Sequence, residues 1–204
     1  MRTQRPPLPL ILGFAAFLVV ITFLIGASLV RPKVAEFAPT PAGVRPSAGP
    51  GPDTVTIDTR DPARWRFYSL RRGAISPPDT GDWDLAFRRY HAITSGSAAD
   101  AGAVAFEEAT TAPAADFTET VFARDTLNPA LSRWYRYGFV THLLRPNGHV
   151  FLVRTRSLGP IKLEFLSYYC PGGRPGCLTF RWAPLGPWGT HRPGREGTSV
   201  ALPI

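Results

Sequence analysis

Residues 8–30, LPLILGFAAFLVVITFLIGASLV, form an apolar run of 23 positions without one charge. As a helix rising about 1.5 Å per residue, the run spans about 34 Å, enough to cross the hydrocarbon core of a bilayer. A cleaved signal peptide is the competing reading, but its apolar region covers roughly 7–15 residues and ends in a small-x-small site. Gly26-Ala27-Ser28 imitates that site only from inside the run. The expectation is an uncleaved transmembrane helix over 8–30 behind a short tail, 1–7. A lipid anchor would need a cysteine near this segment, whereas Cys170 and Cys177, the two cysteines of the chain, lie far downstream.

Charge flanking the run barely discriminates orientation, since Arg2 and Arg5 precede it and Arg31 and Lys33 follow it. The segment CPGGRPGC supplies a second cue: Cys170 and Cys177 close an eight-residue Pro/Gly loop between aromatic-rich stretches. Without a CxxC, a further cysteine pair or a histidine at zinc spacing, two metal-bound or redox-active thiols have no supporting residues. The expectation is a disulfide, which persists in an oxidising compartment. The N-terminus is therefore expected in the cytoplasm and the body of the chain in the periplasm, anchored in a bacterial inner membrane.

After the helix, residues 31–52 alternate proline with small residues and present no periodic apolar face. Such a segment reads as an extended linker, able to reach roughly 60 Å in a polyproline-like state. Residues 53–182 follow the period of strands. Thr54–Ile57, Trp65–Leu70, Trp83–Phe87, Ile161–Phe165 and Leu178–Trp182 are the clearer strands; Tyr90–Thr94 and Ala103–Phe106 are weaker ones, separated by the turn-rich SGSAADAG. Residues 107–137 lack alternation and are expected to hold short helical turns and a long loop. Phe139–Leu144 and His149–Arg154 flank Asn147-Gly148, a hairpin signal because both residues tolerate positive φ. The sum is an antiparallel, mostly-β domain of about eight strands behind one transmembrane helix. The tail 183–204 is Pro/Gly-punctuated and expected to be irregular.

These strands carry a resemblance. Trp65–Leu70, Gly81–His91 with its DWDLAF core, Trp134-Tyr135, Thr141-His142, Val153-Arg154-Thr155, and Leu166–Pro171 running to Cys177 and Thr179–Arg181 together resemble the ordered signature of the HmuY family, over about residues 65–182. The resemblance implies a β-rich fold of exported, membrane-attached proteins and haem as a cofactor. The chain departs from that pattern in carrying an apolar helix where the family carries a lipid.

No GxSxG, HExxH, phosphate-binding GxxxxGK or strand-linked GxGxxG occurs, and CxxCH is absent, so neither a catalytic set nor a metal site is expected. Asp82 and Asp84 share a strand face about 7 Å apart. The simpler role for Asp84 is to cap turn amides or to pair with Arg88 or Arg89. The haem-ligand candidates are His142 and His149. With Asn147-Gly148 as the turn they stand about 13 Å apart along the ladder; with Pro146-Asn147 as the turn the diagonal falls to roughly 7 Å. His91 reads as an ordinary half-buried strand residue.

The net charge of +8 comes from 23 basic against 15 acidic residues, and all the basic residues but Lys33 and Lys162 are arginine. They are scattered rather than gathered on one stripe, which speaks against nucleic-acid binding. Two functions remain. The first is a non-enzymatic accessory subunit stabilising a larger membrane complex, respiratory or photosynthetic, whose partners would be other membrane subunits contacted by the helix, linker and C-terminal tail, together with the lipid bilayer. The second is a periplasmic haem- or porphyrin-binding protein. The fixed anchor, the poor pairing of histidines and the missing catalytic set favour the first.

Overall fold

The computed structural model describes residues 7–29, 33–41, 51–76, 81–109, 117–123 and 125–185. The expected tail 1–7, apart from Pro7, and the C-terminal extension beyond Leu185 lie outside them.

Helix α1, Leu8–Leu29, occupies the apolar run. It is hydrophobic on every side, and its large side chains are exposed, Phe23 at 70%. In water such a surface has no covering; in lipid it needs none. Thr22 satisfies its hydroxyl by donating to the Leu18 carbonyl at 2.8 Å, within the helix itself.

The rest is antiparallel β structure. Its strands are β1 Asp53–Asp58, β2 Arg66–Ser69, β3 Ala74–Ser76, β4 Leu85–Arg88, β5 His91–Thr94, β6 Ser97–Asp100, β7 Thr118–Glu119, β8 Tyr135–Tyr137, β9 Leu144–Pro146, β10 Val150–Thr155, β11 Gly159–Cys170 and β12 Arg174–Pro184. One sheet runs β1-β12-β11-β10-β6-β7, a second runs β3-β2-β4-β5, and β8-β9 form a separate ribbon. Ile161, Leu163 and Phe165 of β11 are buried while Lys162 and Glu164 between them are not, as the alternation predicts. Residues of both sheets meet in one core, where Phe180 of β12 packs on Phe87 of β4 and Tyr68 of β2 with ring centroids 5.1 and 5.9 Å apart. Burying each such side chain contributes about 2 kcal/mol.

Cys170 and Cys177 are bridged across the β11–β12 turn, with Cα atoms 4.8 Å apart. Strand β12 runs on to Pro184, two residues past the expected boundary, and the Leu185 amide donates to the Pro160 carbonyl at 3.0 Å.

Two expectations are corrected. Ala103–Phe106 is not a strand; the turn-rich stretch before it supplies one, β6, paired with β10. Ala98 and Ala99 there are fully buried. Small residues serve in β6 because the backbones approach closely: a Cβ on the preceding Gly96 would stand 1.9 Å from the Arg154 carbonyl oxygen. Nor do Phe139–Leu144 and His149–Arg154 form a hairpin. Strand β10 pairs with β6 and β11, while Leu144–Pro146 turns back on Tyr135–Tyr137. Gly148 does take a positive φ of 76°, but as a link between β9 and β10. The Asn147 side chain fixes that link, its Nδ2 donating to the Arg133 carbonyl and its Oδ1 accepting from the His149 amide.

Of the expected linker 31–52, residues 31–32 and 42–50 lie outside the described residues. Residues 33–41 lie along the domain as a strap. Glu36 bridges Tyr169, the Phe37 amide donates to the Tyr169 carbonyl at 3.0 Å, and the Glu36 carboxylate accepts from the Gly172 amide at 2.8 Å. Thr40 and Thr56 exchange hydrogen bonds, both at 2.9 Å. The strap docks where β11 bulges: register shifts on either side of Ser167 free its hydroxyl to donate to the Ala35 carbonyl and accept from the Tyr169 amide.

Candidate functional site

Asp84, half of the spaced carboxylate pair, is buried at 1% exposure and acts structurally. Its Oδ2 accepts from the Leu70 amide at 2.9 Å and the Ser157 hydroxyl at 2.7 Å, and its Oδ1 accepts from the Ser157 amide at 3.3 Å. It ties the β2–β3 turn to the β10–β11 turn, so of the two roles read from the sequence it fills turn capping. Asp82 faces Arg72 at 3.1 Å instead.

The two histidines expected as a ligand pair are not brought to one point. His142 sits in the loop between β8 and β9 at φ 54°, its Nδ1 2.6 Å from the Tyr137 hydroxyl. His149 lies beyond the other end of β9, its Nδ1 2.9 Å from Asp100 Oδ2. The three residues of β9, about 10 Å of strand, lie between them, against the roughly 4 Å between two nitrogens bound to one iron.

The chain gathers its aromatic chemistry elsewhere. The β4–β5 turn carries Arg89 at φ 53°, a conformation that costs a non-glycine residue about 1 kcal/mol or more and that clusters at functional positions. The turn presents Tyr90 and His91 side by side, ring centroids 4.5 Å apart. Tyr135 stands 5.5 Å and Tyr168 6.2 Å from Tyr90, both edge-on. Trp134 pins the turn from beneath, its Nε1 donating to the Tyr90 carbonyl at 2.8 Å. Strands from three parts of the fold thus converge: β5 gives His91, the root of the β8–β9 ribbon gives Tyr135, and the bulged end of β11 gives Tyr168.

Electrostatics sharpen the face. Burial pushes the His91 imidazole below its usual range, and the Arg88 and Arg89 guanidinium groups push the same way against the weaker pull of Asp125. His91 is therefore held neutral, and among the described residues its ring nitrogens have no hydrogen-bond partner. Burial raises the phenols of Tyr135 and Tyr168, the latter against the opposing Arg89 guanidinium. A neutral imidazole, a wall of phenol rings and two guanidinium groups can hold a flat aromatic ligand bearing carboxylates. The sequence reads His91 as a half-buried strand residue, which it is at the start of β5, and a single histidine carries no spacing signal that would mark it as a ligand.

A cavity of about 310 Å³ opens elsewhere, at the far ends of β5 and β10, lined by Thr94, Ser95, Ser97, Glu119, Arg154 and Arg156 among others. It is polar, unlike the aromatic face. Among the described residues no three His, Cys, Asp or Glu side chains converge as a metal site would require.

No protein-family model and no curated protein matches the chain. Solved structures do. A protein assigned as a HmuY-like haem-binding protein of Bacteroides vulgatus matches at 19% identity with a TM-score of 0.55, over 64% of this chain and 90% of that one. The β-domain has the HmuY-like fold. The apo HmuY analogue of Tannerella forsythia matches this HmuY-like domain at 17% identity and a TM-score of 0.57, over 64% of this chain and 94% of its own. A protein assigned as a lipoprotein of Bacteroides fragilis matches at 21% and 0.56, over 67% and 92%.

Proposed function

We propose that the protein is a membrane-attached, extracytoplasmic binding module whose HmuY-like domain takes haem or a related porphyrin at the Tyr90–His91 face. The fold carries this reading, because it is shared with a HmuY analogue and a protein assigned to haem binding across nearly their whole length. The donor set is compatible with it. Imidazole is a common haem-iron ligand and phenolate an occasional one, so His91 would be the iron ligand, Tyr90 and Tyr135 would supply ring faces, and Arg88 and Arg89 would pair with the propionates. Haem there would be cargo, and the protein a binder rather than an enzyme. The periplasmic placement of the domain, with the N-terminus in the cytoplasm, belongs to the same proposal and draws on the Cys170–Cys177 bridge. The alternative, an accessory subunit of a membrane complex, draws only on the apolar helix and the Pro-rich segments, and the fold adds nothing to it.

Haem titration of the full-length chain in mild detergent tests the proposal. The expected result is a saturable Soret shift that weakens at least tenfold in His91→Ala and persists in His149→Ala. No saturable shift in the wild type overturns haem binding; an undiminished shift in His91→Ala overturns this site.

A further inference from the structure

We propose that the β8–β9 hairpin is a membrane-docking element that seats its tip in the anionic headgroup layer of the bilayer crossed by the protein's own helix. The tip is apolar and exposed: Phe139 at 84%, Val140 at 61% and Tyr137 at 44%. A Phe of that exposure at a loop apex adds little to the core, and its ring stands edge-on to Tyr137 with centroids 5.5 Å apart.

The shank behind the tip is basic. Arg136 and Arg145 are direct cross-strand partners, and both are exposed. Like charges opposite one another destabilise a ribbon unless an anion lies between or beside them. Among the described residues none supplies it: neither arginine makes an ion pair there, and the sequence has no acid between Asp125 and Glu164. An aromatic and aliphatic tip followed by paired arginines matches the order of a membrane interface, acyl boundary first and phosphates above it.

The chain's own geometry brings this hairpin to a membrane. Helix α1 ends at Leu29, and the strap is fastened from Ala35 onward at Ser167 and Tyr169. Six residues reach at most about 20 Å. The strap docks beside the tip-side end of the hairpin, since the Tyr169 hydroxyl accepts at 2.8 Å from the amide of Leu144, the β9 partner of Tyr137. The inference rests on α1 remaining attached; it does not depend on haem binding.

The test is hydrogen exchange on the full-length chain, one copy per nanodisc, in pure phosphatidylcholine and with 30% phosphatidylglycerol. The expected result is at least tenfold slower exchange of the amides of Phe139, Val140 and Thr141 in the phosphatidylglycerol discs than in phosphatidylcholine. The turn 156–158 at the far end of β10 should be unchanged. Phe139→Ser with Val140→Ser should abolish the protection, and Arg136→Gln with Arg145→Gln should abolish its lipid dependence. Both pairs are exposed, so the fold should tolerate the changes, which the exchange of β10 and β11 verifies. Equal exchange in the two lipids, protection unaffected by either double variant, or protection appearing only with two copies per disc would overturn the proposal.

Discussion

Asp84 and His91 are side chains whose burial sets their roles. The Asp84 carboxylate accepts three hydrogen bonds from two turns on different sheets, and its removal leaves those donors without a partner. Asp84→Ala should cost about 2–4 kcal/mol, read as a lower midpoint in thermal unfolding. An unchanged midpoint would deny the carboxylate its structural role. His91 gives a pH dependence instead. Its folded pKa is depressed, so below the unfolded value of about 6.5 the unfolded chain binds a proton that the fold refuses, and stability falls as pH drops through that value. Between pH 7.5 and 5.5 the wild type should lose more stability than His91→Gln in urea unfolding; parallel losses would sink the assignment. Asp58, lowered by its hydrogen bond to Arg60, loses its contribution only near or below pH 4, which keeps the two effects apart. The sequence made the Asp84 role legible because DWD just ahead of a strand offers a carboxylate where turns begin. The partners themselves, Leu70 and Ser157, are too distant in sequence to be read.

Strands whose side chains alternate were legible; strands built for tight packing were not. Ile161–Phe165 announces its inward face, whereas β6, with Ser97, two alanines and Asp100, resembles the turns around it and is a strand only because β10 lies against it. The β8–β9 ribbon was misread for a related reason. Asn147-Gly148 is a strong local turn signal, but the register is set by Tyr135 facing Pro146 and Tyr137 facing Leu144. The β11–β12 turn was read correctly down to its bridge. Reducing or replacing Cys170 and Cys177 with serine should lower stability by about 2–3 kcal/mol on loop-entropy grounds. Non-reducing mass spectrometry of freshly isolated membranes should find no free thiol, and two alkylatable cysteines would contradict the bridge.

At the scale of the molecule, one apolar helix and one β-domain were both visible in the sequence, the helix from its length and the domain from strand alternation and family resemblance. The aromatic face was not, since Tyr90, Tyr135 and Tyr168 are assembled by topology. Nor was the strap, because a Pro-rich segment without periodicity gives no sign that a bulge will receive it. With α1 in a membrane and a ligand taken as proposed, that strap changes how the domain can search. A free linker of the whole 31–52 stretch would let the domain sweep a radius of roughly 60 Å, whereas a leash of about 20 Å confines it to a volume roughly thirtyfold smaller. On the proposed anchoring and binding, a ligand that partitions to the membrane surface would meet the domain at a correspondingly higher local concentration.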